Sequence, residues 1–191
     1  AWNFPDQIPM HREPLHSPRQ DLVVKYPTFA DKANHFRVMT KFASIQSAKD
    51  YSKEFPINMV TGRLVTMNGA GIENRASKYI AALTPEMFCS IHPDLAHKYD
   101  IRDGGMMWVH SPEGTKIKVK AKYSLTVLPE MVFMPFHFAG YFQGADRTGN
   151  FPAGTKPYAS GESVNTVTNY GYDIFTQIPE TKGGLCRIEK A

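Results

Sequence analysis

The feature that most constrains the fold is a strict alternation of apolar and basic residues over positions 116–122, in the sequence KIKVKAK. A side-chain period of two is that of a β-strand with one buried and one solvated face. Residues 106–110 provide a partner strand, because the intervening SPEGT contains Pro112 and Gly114, which favour a hairpin turn. The lysines fit a solvated strand face, with an electrostatic patch as the alternative. The pattern therefore predicts a β-hairpin in this part of the chain.

Short apolar segments predict further strands, and two other segments predict helices. The strands are expected at residues 57–60, 87–91, 131–134 and 185–188. A helix is expected to begin at Pro93, and a helix over residues 73–83 would carry its apolar residues on one side. Those apolar residues are Ala76, Tyr79, Ile80 and Leu83. We therefore predict a mainly β fold with short helices.

Residues 57–75, INMVTGRLVTMNGAGIENR, combine a strand, a glycine-rich turn and the start of the predicted helix. Gly62, Gly69 and Gly71 bracket Arg63 in backbone that a ligand can approach closely, because glycine has no side chain. Amides at the start of the helix would favour an anionic group. An ordinary loop is the alternative, since the glycines match neither the GxGxxG pattern nor a Walker loop.

Size and composition indicate one globular domain with an extended appendage, or one large domain. The chain has 191 residues, 42% of them hydrophobic and 21% charged, and no apolar run approaches the roughly 18 residues of a membrane-spanning helix. Residues 1–52 are punctuated by prolines, and we expect an extended linker segment that packs on a domain of residues 53–191. The chain begins with Ala1 and its first residues lack a signal-peptide pattern, so we expect a processed or excised piece.

The net charge and the spacing of the cysteine and histidine residues limit the kinds of ligand that this chain is expected to bind. The net charge of +4 suits an anionic ligand such as phosphate or formate, but the basic residues are scattered rather than clustered as in nucleic-acid-binding proteins. Cys89 and Cys186 have no CxxC companion and the histidines lack metal-ligand spacing, so zinc and iron–sulfur sites have no support. Two buried free thiols are expected, with a disulfide in an oxidising compartment as the alternative.

Two polar stretches near the C-terminus are candidates for contacts. Residues 139–161 are rich in glycine, proline and polar residues, which predicts a long loop that covers a site or contacts a partner. Asn165, Thr168 and Asn169 have amides and hydroxyls that suit hydrogen bonds to a heterocycle or ribose, with turn-forming asparagine as the alternative. Lys182 precedes a predicted Gly183-Gly184 turn and the last strand.

Four segments together resemble one known family. They are TGR at residues 61–63, FCSIHP to KVKAKY at 88–123, VFMPFHFAG at 132–140 and IPETKGGLCRIEK at 178–190. In this order they are similar to the C-terminal domain of the molybdopterin oxidoreductases, in particular the formate dehydrogenase large subunit. The resemblance covers about residues 55–189. It implies a six-stranded double-psi β-barrel, with an extended N-terminal segment, that binds the guanine-dinucleotide arms of two pterin cofactors.

The resemblance also implies a set of binding residues. A pyrophosphate needs amides or arginine, and a base and ribose need polar partners. The residues that would bind the cofactor are Thr61, Gly62, Arg63, Met67, Asn68, Gly69, His137, Asn165 and Lys182. In that family a cysteine or selenocysteine in an earlier domain ligates the molybdenum or tungsten, and an iron–sulfur motif lies near the N-terminus. Neither motif is present here, so we expect no catalytic and no metal-ligating residue in this chain.

The resemblance implies that this chain is the cofactor-holding domain of a formate dehydrogenase, an enzyme that oxidises formate to CO2. The domain alone is expected to have no catalytic activity. The expected partners are upstream domains of the same subunit, iron–sulfur and membrane cytochrome subunits, and no nucleic acid. The segment HREPLHSPRQDLVVKYPT resembles that of respiratory enzymes, which implies a periplasmic, membrane-associated location and anaerobic respiration, with a cytoplasmic location as the alternative. Two competing functions are that of the same domain in a nitrate, thiosulfate or polysulfide reductase, and that of a stand-alone double-psi barrel that acts as a binding module.

Overall fold

The computed structural model describes residues 19–26, 50–168 and 181–191. The chain divides into two compact units, the first comprising residues 1–50 and 170–180 and the second residues 51–169 and 181–191. In the first unit the six-residue helix α1 (Gln20–Lys25) follows Arg19, whose guanidinium forms an exposed bidentate ion pair with Asp21. Most of residues 1–52 lie outside the described ranges, so the predicted packing of this segment on the second unit stays a prediction.

Within its described residues the second unit contains nine strands and three short helices. In chain order the strands are β1 (Ile57–Gly62), β2 (Phe88–Ile91), β3 (Met106–His110), β4 (Lys116–Tyr123), β5 (Met131–Pro135), β6 (Gly140–Phe142), β7 (Ala145–Asp146), β8 (Gly161–Glu162) and β9 (Gly183–Lys190). The helices are α2 (Ile72–Ala76), α3 (Lys78–Ala81) and α4 (Pro93–Lys98), with single 3-10 turns at Thr148–Asn150 and Val164–Thr166. The predicted mainly β fold with short helices is confirmed.

Six of the strands close into a barrel in the order β1-β5-β2-β4-β3-β9, with β9 pairing back to β1. The pairs β1–β5 and β2–β4 are parallel, and the other four neighbouring pairs are antiparallel. Each barrel strand has two neighbours, so the barrel exposes no unpaired strand edge. This closed arrangement confirms the six-stranded double-psi barrel.

The barrel interior is filled by alternate residues of the strands. In β4 the burial pattern alternates between buried Ile117, Val119 and Ala121 and the lysines between them, as the period of two predicts. Cys89 and Cys186 are buried and free, which confirms the prediction of two buried thiols. Other fully buried core residues are Met59, Ile91, Met107, Val109, Val132 and Met134.

The lysines of β4 cover aromatic rings on the outer barrel wall. The Lys116 and Lys118 Nζ atoms lie 4.2 and 5.7 Å from the ring centroid of Trp108, and the Lys122 Nζ lies 4.7 Å from that of Phe88. Lys120 forms an ion pair with Glu86. Because each lysine has a partner within the chain, the solvated-face interpretation is favoured over a free electrostatic patch.

The predicted continuous helix over residues 73–83 is wrong. Ser77 is extended, with φ −101° and ψ 115°, and separates α2 from α3. The Arg75 carbonyl oxygen accepts a hydrogen bond from the Tyr158 N–H over 2.9 Å, so that acceptor is already engaged outside the helix. The apolar side expected to be buried is instead exposed, and the buried positions are Asn74 and Ala81.

Residues 139–161 also differ from the predicted structureless loop. Strands β6, β7 and β8 form a three-stranded sheet in the order β7-β6-β8. Gln143 and Gly144, with φ values of 50° and 85°, make the two-residue turn between β6 and β7, and a Cβ at Gly144 would lie 2.5 Å from the Trp108 ring. These strands of two or three residues are too short to show a period in the sequence. The predicted Gly183-Gly184 turn is likewise the start of β9, paired with Val60 and Met59.

Candidate functional site

The strand directions bring three of the predicted site residues to one end of the barrel. Strands β1 and β5 are parallel and β9 is antiparallel to β1, so the C-terminal ends of β1 and β5 lie beside the N-terminal end of β9. Arg63 directly follows β1, His137 follows β5 by two residues, and Lys182 directly precedes β9. We call this the Arg63 end of the barrel.

Thr61 fastens β1 to the segment that precedes β9. Its N–H donates to the Lys182 carbonyl oxygen over 3.0 Å, and its Oγ1 donates to the Thr181 carbonyl oxygen over 2.9 Å. Thr61 is buried, whereas the Lys182 side chain is exposed. At Gly62 a Cβ would lie 2.8 Å from Cε2 of Phe133, so glycine allows this ring to pack on β1. Thr61 and Gly62 thus fix the backbone that carries Arg63 and Lys182.

The loop between β1 and α2 is held in shape by Asn74, which sequence reasoning missed. The Asn68 N–H donates to Asn74 Oδ1 over 2.7 Å, and Asn74 Nδ2 donates to the Thr66 carbonyl oxygen over 2.9 Å. Asn74 is buried, and both hydrogen bonds are made within the loop it closes. Met67 is buried in the core, while Asn68 is exposed and Gly69 is half-buried with φ 51°. Of the predicted turn residues, Asn68 and Gly69 are accessible and Met67 is an anchor.

His137 is fully buried and lacks one hydrogen-bond partner. The Leu64 N–H donates to its Nε2 over 3.0 Å, so Nε2 is the unprotonated nitrogen and the neutral ring carries its proton on Nδ1. Among the described residues Nδ1 has no hydrogen-bond partner. Burial, followed by the positive charges of Arg63 and Arg75, lowers the pKa of His137. His137 is therefore a neutral donor with an unsatisfied N–H.

Arg75 lies over His137 and is a second residue that sequence reasoning missed. Its Nη1 donates to the carbonyl oxygens of Ala70, over 3.0 Å, and of His137. Burial lowers the pKa of Arg75. Gly71, with φ 74°, packs between the two side chains, since a Cβ there would lie 3.0 Å from the His137 Cβ and 3.2 Å from Arg75 Nη1. In the sequence, Arg75 is recognisable only as a cation on the helix that follows the glycine-rich turn.

Asn165 lies in the 3-10 turn Val164–Thr166 and its side chain is exposed. Thr115 Oγ1 donates to the Thr166 carbonyl oxygen, which places this turn beside the β3–β4 hairpin. The C-terminal end of β3 and the N-terminal end of β4 belong to the Arg63 end of the barrel. Thr168 Oγ1 donates to the Asn165 carbonyl oxygen over 3.2 Å, and Asn169 lies outside the described residues. Asn165 is thus accessible at the same end as Arg63.

The small sheet is fixed to the barrel by Glu162, a third residue that sequence reasoning missed. Its buried carboxylate accepts hydrogen bonds from the backbone N–H groups of Lys118 (3.3 Å), Gln143 (3.0 Å) and Gly144. A buried carboxylate requires such donors, and they come from β4 and from the β6–β7 turn. The segment that precedes β8 also reaches the site, because the Tyr158 N–H donates to the Arg75 carbonyl oxygen.

The chemistry of this end is that of an anion-binding surface. The guanidinium of Arg63 is exposed and pairs with no carboxylate in residues 19–26, 50–168 and 181–191. Lys182 is exposed beside β1, and His137 supplies a neutral donor. Within the same ranges no group of three or more His, Cys, Asp or Glu residues could hold a metal ion. None of the helices described is long and apolar enough to cross a membrane.

Comparison with known proteins identifies relatives of this barrel. Over 137 residues the chain is 30% identical to the F420-dependent formate dehydrogenase 1 subunit alpha of Methanococcus maripaludis, covering 72% of this chain and 17% of that protein. It is 35% identical over 86 residues to the assimilatory nitrate reductase catalytic subunit of Bacillus subtilis, covering 45% of this chain and 12% of that protein. It is 25% identical over 192 residues to the formate dehydrogenase subunit alpha of Megalodesulfovibrio gigas, covering 96% of this chain and 17% of that protein.

A solved structure and a family model agree with these relatives. Acetylene hydratase from Pelobacter acetylenicus is similar with a TM-score of 0.57 and 17% identity, over 76% of this chain and 20% of that one, which shows a common fold. The chain spans 12 to 17% of the length of the three relatives named above. The family model described as molydopterin dinucleotide binding domain matches residues 57–185, which contain the barrel from β1 into β9. The chain therefore belongs to the molydopterin dinucleotide binding domain family.

Proposed function

We propose that this chain is the cofactor-holding domain of a formate dehydrogenase large subunit. In this proposal it binds the guanine-dinucleotide arms of a bis-pterin molybdenum or tungsten cofactor and does not oxidise formate alone. The observation that carries the proposal is Arg63, which is exposed and has no carboxylate partner among the described residues, at the end of a barrel whose family binds a pterin dinucleotide. The choice of formate is supported by the 30% identity to a formate dehydrogenase subunit alpha.

The residues of the Arg63 end fit such a ligand. A dinucleotide carries a pyrophosphate, which Arg63 and the exposed Lys182 would neutralise with charge-assisted hydrogen bonds. The unsatisfied Nδ1–H of His137 would donate to an oxygen or ring nitrogen of the cofactor. Gly71 packs against Nδ1, so this contact requires a displacement of the β1–α2 loop. The exposed amide of Asn165 has both a donor and an acceptor for a base or ribose.

Two groups of residues would have different roles, one contacting the cofactor and the other positioning those contact residues. When bound, the pterin cofactor supplies the metal that accepts electrons from the substrate. Asn74 and Arg75 hold the β1–α2 loop in shape, and Thr61 holds the segment that carries Lys182. These residues would position the charged groups that contact the cofactor, so the chain contributes binding and orientation.

Arg63→Ala in the complete enzyme tests the assignment. A hydrogen bond to a charged group contributes about 1.5–3 kcal/mol, so cofactor affinity should fall roughly 10- to 150-fold. The measurement is pterin and metal content per protein after extensive dialysis. The matched control is Lys122→Ala, which removes an exposed cation on the outer wall of the barrel and should leave the content unchanged. Unchanged content in the Arg63 variant would contradict the proposal.

The absence of independent catalysis has its own test. The 191-residue chain, supplied with formate and a redox dye, should give no dye reduction above background. The family's metal ligand and iron–sulfur motif were not found in the sequence, so electron transfer would need other parts of the enzyme. Formate-dependent reduction by the chain alone would overturn this part of the proposal.

A second candidate is the same domain of a nitrate reductase, which is favoured by the 35% identity to the Bacillus subtilis enzyme over 86 residues. Formate- and nitrate-dependent electron transfer by the complete enzyme discriminates the two. For a stand-alone binding module, the distinguishing result would be salt-sensitive binding of DNA or RNA without affinity for guanosine diphosphate.

The proposal extends to location and partners. We expect the complete subunit to be periplasmic and to associate with iron–sulfur and membrane cytochrome subunits in anaerobic respiration. The support is the resemblance of the segment around residues 11–28 to respiratory enzymes. Cell fractionation followed by copurification would test it, and a cytoplasmic enzyme without such subunits would contradict it.

A further inference from the structure

The β1–α2 loop contains the only Asn-Gly pair of the sequence, Asn68-Gly69. In such a pair the backbone nitrogen of the glycine can attack the side-chain carbonyl carbon of the asparagine, because glycine has no Cβ to block the approach. A bond from this nitrogen to the carbon forms, the bond to the side-chain amide nitrogen breaks, and ammonia leaves a cyclic imide. Water then opens the ring to aspartate or isoaspartate. The net change consumes one water, releases one ammonia and requires no oxidant.

Both reacting groups of this pair lack partners in the part of the chain that the structure describes. The Asn68 side chain is exposed, and neither its amide nor the Gly69 N–H forms a hydrogen bond with another described residue. A Cβ built at Gly69, where φ is 51°, would have no heavy atom within 4 Å. The space beside the attacking nitrogen is therefore open.

Two backbone hydrogen bonds hold the turn on either side of the reacting groups. The Asn68 N–H donates to Asn74 Oδ1 over 2.7 Å, and the Asn68 carbonyl oxygen accepts from the Gly71 N–H over 2.7 Å. The attack requires rotation of the peptide plane between Asn68 and Gly69, which breaks the bond from Gly71. Loss of one hydrogen bond slows the reaction about two- to ten-fold relative to an unstructured peptide.

Two other sites in the chain could form the same kind of imide but are held more firmly. At Asp103-Gly104 the Gly104 N–H donates to the Ala121 carbonyl oxygen over 2.9 Å, and Asp103 Oδ1 accepts from the Tyr123 N–H over 2.8 Å. Asn74 is buried, and its amide makes the two hydrogen bonds that close the loop. In neither site are the attacking nitrogen and the side chain both free.

We propose that Asn68 is a site of spontaneous deamidation, which converts to aspartate or isoaspartate as the folded protein ages. The product adds a negative charge to the β1–α2 loop, which also carries Arg63, and isoaspartate adds a methylene group to the backbone of the turn. Both changes weaken the binding of an anion at the Arg63 end. This consequence rests on the proposed function, whereas the modification itself does not.

Peptide mass spectrometry of the folded 191-residue chain, incubated at neutral pH, tests the site. Trypsin cleaves after Arg63 and Arg75, so one peptide of residues 64–75 contains both Asn68 and Asn74, and its fragment masses report the two separately. Asn68 should convert about two- to ten-fold more slowly than in the synthetic peptide. It should convert at least about five-fold faster than Asn74, whose two side-chain hydrogen bonds must break first. At Asp103 the retention time of the tryptic peptide should show no isoaspartate.

The consequence is measured as the affinity of the same samples for guanosine diphosphate. One added charge at an exposed position should lower the affinity about two- to five-fold as the chain ages. Asn68→Ser, which has no side-chain amide to lose, is the matched control, and its affinity should not change with time. Asn68→Asp should show the lower affinity from the start.

The outcomes separate the site from its consequence. If Asn68 keeps its amide while the synthetic peptide converts, or if Asn68 and Asn74 convert at equal rates, the proposed site is wrong. Unchanged affinity after full conversion would overturn the consequence alone. Failure of the fresh chain to bind guanosine diphosphate, together with full pterin content in the Arg63→Ala enzyme, would contradict the proposed function and leave the modification established by the peptide masses.

Discussion

Replacing His137 by leucine removes an acceptor from a fully buried position. The Leu64 N–H donates to Nε2 over 3.0 Å, and leucine fills much of the ring's volume without providing an acceptor. A donor left without a partner in a buried site costs about 1–3 kcal/mol, so the free energy of unfolding should fall by about that amount. His137→Gln is the matched control, because its Oε1 can accept the Leu64 N–H and it does not titrate.

The same pair of variants tests the protonation state of His137. Burial, followed by Arg63 and Arg75, lowers its pKa in the folded protein, so the unfolded chain takes up a proton at higher pH than the folded one. The stability from this residue is fully present above the unfolded pKa of about 6.5. It is lost as the pH falls from there towards the folded pKa, with a slope of at most about 1.4 kcal/mol per pH unit.

Urea unfolding from about pH 7.5 to about pH 5, followed by tryptophan fluorescence, measures both effects. The stability of the native protein relative to His137→Gln should be constant at the upper end and should decrease below about pH 6.5. Parallel pH profiles of the two proteins would refute a buried neutral His137. Equal stability of the leucine and glutamine variants at the upper end would refute a contribution from the Leu64 hydrogen bond.

Two further predictions concern groups buried in the barrel unit. Glu162→Leu leaves three backbone N–H groups without their carboxylate acceptor. The free energy of unfolding, measured with urea, should therefore fall by at least about 3 kcal/mol. A loss below about 1 kcal/mol would contradict this role of Glu162. Burial raises the pKa of the Cys89 thiol, and raises that of Cys186 to about 12, so a thiol reagent should label both cysteines only as the barrel opens. Labelling of the folded chain at the rate of a free thiol would show that these residues are accessible.

Much of the barrel could be predicted from local patterns. The alternation over residues 116–122 defines β4 within a residue at its C-terminal end, and SPEGT defines its hairpin with β3. These predictions succeed because the period of two and the turn chemistry are properties of neighbouring residues. The closed six-stranded arrangement came from the resemblance, since no local pattern specifies the order in which strands pair.

The predictions that failed depend on residues distant in sequence. The helix over residues 73–83 is interrupted where the Arg75 carbonyl oxygen accepts from Tyr158, which no pattern within the helix reveals. Asn74, Arg75 and Glu162 were missed because their roles are set by partners and by burial. Within the candidate site, the sequence did not distinguish buried from accessible residues: Thr61 and Met67 are buried, whereas Arg63 and Asn68 are exposed. Their contacts with a cofactor stay predictions.

The sequence by itself determined where strands and turns occur, because those depend on the spacing of apolar residues and on glycine and proline. Only the tertiary structure decided that Arg63, His137 and Lys182 lie at one end of the barrel, and that His137 is neutral with no partner for Nδ1 among the described residues. It also decided that the apolar side of α3 faces away from the core. The physical reason is that burial and hydrogen-bond pairing depend on which distant segments meet, whereas periodicity depends on the residues next to one another.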